Sequence, residues 1–172
     1  MITLERALRH LRWADDAFFL ALAARPPQAL DARVAPQGWS VGRLAMHIVQ
    51  GAQWYRYCLA GVPWTDLDVP VGHGELEMLR RELSGVDAAL LDEARLPDAC
   101  VTFRDDEGMA TAWRSTILTQ ACMHATEHRA QISFALEVSG FDPVVLDDLD
   151  LWAFERCEGH SSQPQSEGER DA

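Results

Sequence analysis

The chain has few basic residues, 15 arginines and no lysine against 27 aspartates and glutamates, and its net charge is −12 at pH 7. A surface this acidic repels the phosphate backbone of nucleic acids and anionic lipid headgroups, so neither is an expected partner. Long apolar runs are also missing: no segment approaches the roughly 20 apolar residues of a membrane helix. Residues 1–16 are charged throughout and lack the apolar core of a signal peptide. We therefore expect a cytoplasmic protein.

Several motifs with known chemistry are absent. The four cysteines, at positions 58, 100, 122 and 157, form no CxxC pair, so reduced thiols are the expected state rather than a disulfide framework. The sequence has neither the GxSxG turn of α/β-hydrolases nor a glycine-rich phosphate-binding loop. The placement of individual polar residues is therefore the main guide to function.

Apolar residues, in contrast, are plentiful enough to form a core. Of the 172 residues, 48% are hydrophobic and 24% are charged, which is typical of one soluble globular domain. We expect a helical bundle domain over residues 1–156. Residues 157–172 are mostly polar and are predicted to form a disordered C-terminal tail.

Apolar residues recur every three or four positions in four segments, which predicts an all-α fold built on a four-helix bundle. Ser40 is the expected N-cap of the second helix, and Ser115 or Thr116 that of the fourth. The predicted helices cover residues 3–24, 41–59, 74–94 and 115–139.

Two further segments differ from these helices. Residues 100–113 contain two apolar stretches around a turn with a glycine, which predicts a short β-hairpin just before the fourth helix. Residues 143–155 contain enough apolar residues to dock on the bundle as one short helix or strand.

Three histidines lie on predicted apolar faces. His124 and His128 are four residues apart, so they project from one face of the fourth helix. His47 lies on the inner face of the second helix. If these two helices are neighbours, the three imidazoles converge on one metal ion and leave a coordination position open, as in catalytic sites. The alternative, that each histidine is a hydrogen-bonded core residue, has about equal weight from spacing alone.

Asp15 occupies an inward position of the first helix, between Leu11 and Phe18. A functional Asp15 would accept a hydrogen bond from a ligand imidazole, serve as a fourth ligand, or act as a base for water on the metal. The alternative is a carboxylate near the mouth of the bundle that is hydrated or paired with an arginine. The remaining histidines fall on a polar face, a loop edge and the tail, and we assign them no role: His10, His73 and His160.

Residues 124–128 also match the HxxEH pattern of metalloproteases, in which Glu127 would be the general base. Those proteases have larger folds, in which the third metal ligand lies far downstream of the motif. Residues 129–172 leave little room for such a ligand. We therefore expect Glu127 to be a solvated helix residue. Cys122 falls on a different face from His124 and is expected to be a small buried hydrophobe. The tryptophans either line a pocket for an apolar substrate or, as is commoner, pack in the core: Trp13, Trp39, Trp54, Trp64 and Trp113.

Several of these motifs resemble the DinB-like (YfiT-like) metalloenzyme family. The segments that carry the resemblance are GWSVGRLAMHI, which ends at Ile48, HxxxHRAQI, which starts at His124, and GFDP, which starts at Gly140. The resemblance covers roughly residues 3–155. Two departures are Asp15, in a Trp-Ala-Asp sequence where the family commonly has Trp-Ala-Asn, and Glu127, where another histidine is common.

The resemblance implies a four-helix bundle of up-down-down-up type and frequent homodimers. It also implies a divalent metal ion held by His47, His124 and His128. Characterised relatives are thiol-dependent transferases or isomerases that use low-molecular-weight thiols, and some are hydrolases.

These observations predict a metal-dependent enzyme. Three neutral imidazoles leave the ion its full positive charge, so it would be a strong Lewis acid that activates a thiol or water against a small electrophilic substrate. Asp15 or another nearby acid would accept and donate protons during the reaction. Zinc is the first expectation for the metal, with nickel or iron behind it, because imidazole suits all three. Two alternatives stay open: a bundle that binds a metal or small molecule without turnover, and a structural protein whose histidines fill polar gaps.

Overall fold

The computed structural model describes residues 2–159 of the chain. The four predicted helices and the hairpin are confirmed, each with small changes at its ends. The α-helices are α1 (Leu4–Ala23), α2 (Val41–Ala60), α3 (His73–Glu93), α4 (Arg114–Val138) and α5 (Leu151–Cys157), and the antiparallel strands are β1 (Cys100–Asp105) and β2 (Gly108–Trp113). The predicted tail 157–172 lies outside the described residues except for its first three, of which Cys157 ends α5.

The caps explain where the helices begin and end. The Ser40 hydroxyl accepts a hydrogen bond from the Arg43 amide at 3.2 Å, as predicted, and α2 stops at Gly61, whose φ of +67° favours glycine. The predicted cap of α4 is wrong, because α4 begins directly after β2. The Asp98 carboxylate accepts from the amide of Ser115 at 3.0 Å and from its hydroxyl at 2.8 Å. The acceptor for this helix end thus comes from the loop before the hairpin.

The bundle has a fixed order of neighbours. Helix α1 packs against α3 and α4, and α2 packs against the same two helices, so α1 and α2 are diagonal. Two ion pairs give the relative direction of α1 and α3: Glu5 pairs with Arg95 at 3.1 Å, and Asp16 pairs with Arg80. These two helices are therefore antiparallel.

Helices α2 and α3 run in the same direction. In the first turn of α2, Gly42 lies against the carbonyl oxygen of Pro70, which a Cβ on Gly42 would approach to 2.9 Å. Pro70 lies three residues before the first residue of α3, so both helices start at the same end of the bundle. The segment 61–72 runs the length of the bundle to connect them.

Helices α2 and α4 are antiparallel. The ring of His47 lies 4.7 Å from that of His128, and the ring of Tyr55 lies 5.8 Å from that of His124. The four directions are therefore up, down, down and up, which confirms the bundle type that the family resemblance implied.

All four long helices contribute to one apolar core. Burying a leucine, isoleucine or phenylalanine contributes roughly 1.5–3 kcal/mol each. The largest fully buried apolar side chains are Leu8, Phe18, Phe19, Leu22, Ile48, Leu76, Leu83, Leu90, Leu118, Ile132 and Leu136. Buried polar exceptions include Asp15, Gln53, Asp87 and Arg129. None of the helices within residues 2–159 is long and apolar enough to cross a membrane.

The segment after α4 docks on α1. It forms a 3-10 turn at Leu146–Leu149 and then α5, which settles the open choice for this segment in favour of helix. Nε2 of His10 donates to the Leu149 carbonyl at 2.8 Å, and the ring packs against Trp13 and Phe154. The expectation that His10 lies on a polar face is wrong, since its ring packs between α1 and this segment. These contacts are structural and give His10 no part in the candidate site.

Candidate metal centre

Three histidines from the neighbouring helices α2 and α4 converge. The ligand nitrogens of His47, His124 and His128 all lie within 4.8 Å of one another. Nε2 of His47 and Nε2 of His124 are 3.3 Å apart, and the three ring centroids are separated by 4.4 to 5.0 Å. The convergence predicted from the sequence is confirmed, and the cluster is compatible with metal binding.

A glycine allows this convergence. Gly51 lies one turn after His47 on α2, and the His124 ring rests against its backbone. A Cβ on Gly51 would lie 2.3 Å from Cε1 of His124 and 2.8 Å from Nδ1. Sequence reasoning did not assign Gly51 a role, although a glycine inside a helix often marks such a close approach.

Burial favours the neutral form of two of the three histidines, His47 and His124. Loss of solvent, together with the neighbouring rings of His128 and His47, lowers the pKa of His124 to about 4. The pKa of His47 is also lowered, first by burial, then by His128 and by the positive charge of Arg43. A neutral imidazole has a free lone pair on one ring nitrogen, which is the form that binds a metal.

A glutamine sets the orientation of one ring. Nδ1 of His128 donates to Oε1 of Gln131 at 2.8 Å, and this leaves Nε2 of His128 with the lone pair. The Gln131 amide in turn donates to the Glu127 carboxylate at 3.4 Å. Glu127 is exposed, as expected for a solvated residue. Gln131 was not selected from the sequence, although a glutamine about one turn after the predicted ligand His128 could have indicated this role.

Trp39 and Arg43 form a rim beside the cluster. The indole of Trp39 meets the His47 ring edge-on at 4.8 Å, and the Arg43 guanidinium lies 4.9 Å from the Trp39 ring centroid. Trp39 is the one tryptophan, among the residues that the structure describes, that packs on these histidines. The others lie elsewhere: Trp13 against α5, Trp54 and Trp64 against each other near β1, and Trp113 and Trp152 in exposed positions.

Asp15 lies in the core and forms an ion pair. It is 1% exposed, and its Oδ1 accepts from Nη1 of Arg129 at 2.8 Å, while Nη2 of Arg129 donates to Thr126 at 3.0 Å. Burial raises the pKa of Asp15 to about 6, and Arg129 opposes this rise. The arginine-paired alternative therefore describes Asp15, although in the interior rather than at the mouth. Asp15 is not part of the three-histidine cluster, and its catalytic role stays a prediction.

The thiol nearest to the cluster in sequence is not poised to react. Cys122 is half-buried on α4, and burial raises its pKa to about 11. A protonated thiol is a poor ligand and a poor nucleophile. This fits the expectation of a small apolar residue.

The close approach at Gly51 makes a testable prediction. Alanine at this position is expected to push the His124 ring away from His47, because an ordinary Cβ contact needs more than 3.4 Å. Since the nitrogens would no longer converge, we expect a fall in metal affinity of at least about 10-fold, measured by competition with a chromophoric chelator. Gly85→Ala on α3, where a Cβ meets nothing within 4 Å, is the matched control. Equal affinities for the two variants would contradict the prediction.

Comparisons with known proteins agree with the fold. The crystal structure of a DinB-like protein from Bacillus cereus ATCC 10987 matches with a TM-score of 0.64 at 21% identity, over 83% of this chain and 97% of that one. At this identity the likeness concerns the fold alone. A search of curated proteins found no match. The DinB family model matches residues 1–163, which is nearly the whole chain, and the protein therefore belongs to the DinB family.

Proposed function

We propose that this protein is a metal-dependent enzyme in which His47, His124 and His128 bind one divalent metal ion. The observation that carries the proposal is the convergence of three imidazole nitrogens from two helices within 4.8 Å. Three protein ligands leave at least one position of a tetrahedral ion for a thiol, water or substrate, which is typical of catalytic rather than structural sites. Zinc is the first candidate, followed by nickel and iron.

When bound, the ion supplies the Lewis acidity that converts a thiol or water into a nucleophile at neutral pH. The chain's own residues prepare the site for this chemistry. Burial keeps His124 neutral, and Gln131 orients His128. Trp39 provides an apolar wall next to His47, while the charge of Arg43 favours a substrate with an anionic group.

The reaction class that we propose is transfer of a thiol to a small electrophilic substrate, or hydrolysis of that substrate. A low-molecular-weight thiol as co-substrate is supported by the family resemblance.

Four free cysteines fit a reducing compartment and support a cytoplasmic location. Exposed apolar residues on α4, Met123, Phe134 and Val138, support a homodimer.

The first experiment measures metal content by plasma mass spectrometry on protein purified without a metal-affinity tag or chelator. We expect about one equivalent per chain, as for other three-ligand sites. Metal-free and reconstituted protein are then compared on a panel of small thiols with small electrophiles. Turnover in the reconstituted protein alone supports the enzyme. Bound metal without turnover favours the non-catalytic alternative, and no metal after incubation with zinc, nickel and iron would refute the proposal.

A further inference from the structure

An acidic side chain that sequence reasoning did not select lies in the centre of the bundle. Asp87 on α3 is 1% exposed, and within residues 2–159 neither of its carboxylate oxygens has a hydrogen-bond partner. Buried polar atoms are nearly always bonded, to protein or to an ordered water. Burial and the neighbouring Asp15 raise the pKa of Asp87. The protein therefore keeps a costly group in its core.

A small cavity lies beside this carboxyl group. It has a volume of about 10 Å³ and is lined by residues of all four long helices, with Asp15, Asp87, Tyr55 and His124 as its polar members. A cavity needs roughly 10–15 Å³ to hold one water molecule, and the water needs two to four polar partners. The site thus has the size and the polar lining for a single water.

The cavity is also lined by His124, a candidate metal ligand with one ring nitrogen that has no hydrogen-bond partner among the described residues. Nε2 of His124 faces His47, and its other ring nitrogen, Nδ1, makes no hydrogen bond in the part of the chain that the structure describes. His128, in comparison, uses Nδ1 to donate to Gln131. Metal-binding histidines almost always donate this second N–H to a carboxylate, a carbonyl or a water.

We propose that the cavity is a water site that links Asp87 to His124. The water accepts the Nδ1–H of His124 and donates to the Asp87 carboxyl group, which makes Asp87 a positioning residue for the ligand. Asp15 already accepts from Arg129 through Oδ1, whereas both oxygens of Asp87 lack a partner in the described part of the protein, so Asp87 is the carboxyl group that we assign to this water. The inference rests on the proposed function only in treating His124 as a metal ligand.

Two substitutions separate this role from a merely structural one. In Asp87→Leu the acceptor is lost, whereas in Asp87→Asn the amide oxygen still accepts. A buried carboxyl group without a protein hydrogen-bond partner costs free energy, so replacing it by leucine should not destabilise the fold. We therefore expect Asp87→Leu to keep or raise the melting temperature and to lower zinc affinity by about 10–100-fold. Asp87→Asn should keep most of the affinity. Ser133→Ala, which removes a buried hydroxyl bonded to the Val144 carbonyl, is the control and should leave affinity unchanged.

A second readout needs no metal. Nitrogen-15 NMR of the metal-free protein reports which ring nitrogen of His124 carries the proton, and we expect Nδ1–H in the wild type and a loss of this preference in Asp87→Leu. An Nε2–H tautomer in the wild type, or an unchanged tautomer in Asp87→Leu, would overturn the inference. Wild-type zinc affinity in folded Asp87→Leu would overturn it as well. A wild type that binds no metal but shows the Asp87-dependent tautomer would refute the proposed function and support the water link.

Discussion

Alanine in place of any one of His47, His124 or His128 is expected to remove the metal ion that co-purifies with the wild type. Two imidazoles alone leave too few protein ligands for a stable site of the catalytic type, in which three are usual. The fold should survive, because His47 and His124 are only half-buried and the apolar core does not include them. Plasma mass spectrometry should find about one equivalent in the wild type and none in the variants, and thermal melting checks the fold.

The control for this series is Glu127→Gln. Glu127 lies between two ligands in the sequence but is exposed, and its carboxylate accepts from Gln131 instead of facing the cluster. We expect the variant to keep its metal and any activity of the wild type. Full metal content in all three alanine variants would refute the site, while loss of activity alone in Glu127→Gln would revive the metalloprotease interpretation.

Most of the fold could be predicted because its signals are local. A three- and four-residue apolar spacing specifies a helix face, and Ser40 and Gly61 mark the ends of α2 within the sequence itself. The cap of α4 could not be predicted in the same way. Its acceptor, Asp98, stands 17 residues before Ser115 in the sequence and is brought to it by the hairpin.

The candidate site likewise has residues that local signals predict and residues that only the packed fold reveals. His124 and His128 follow from their spacing on one helix, whereas the approach of His47 depends on which helices are neighbours. Gly51 and Asp87 were missed because their roles exist only in the packed bundle: one makes room for a ring from another helix, and the other lines a cavity between four helices.

Loss of the guanidinium at Arg129 is expected to have the largest effect on stability. Arg129 is 4% exposed and lowers the pKa of both buried acids, Asp15 and Asp87. Removing one partner of a buried ion pair leaves an uncompensated charge, at a cost of about 3–5 kcal/mol. We expect Arg129→Met to lower the free energy of unfolding by this amount at neutral pH, measured by urea denaturation.

This cost should depend on pH with a definite sign. An acid whose folded-state pKa lies above its unfolded value favours folding only when protonated, so stability falls as pH rises from about 4 through the folded-state pKa. Arg129→Met raises the folded-state pKa of Asp15, already about 6, still further. The deficit of the variant should therefore be larger at about pH 8 than at about pH 5.

A double substitution distinguishes charge from packing. In Asp15→Leu/Arg129→Met the pair is replaced by apolar side chains, a change that is often neutral in other buried pairs. We expect most of the lost stability to return, because the carboxylate that needed Arg129 is gone. The loss of stability could instead be the same at both pH values and persist in the double variant. Arg129 would then stabilise the core through the packing of its aliphatic stem, and Asp15 would not need the guanidinium as a partner.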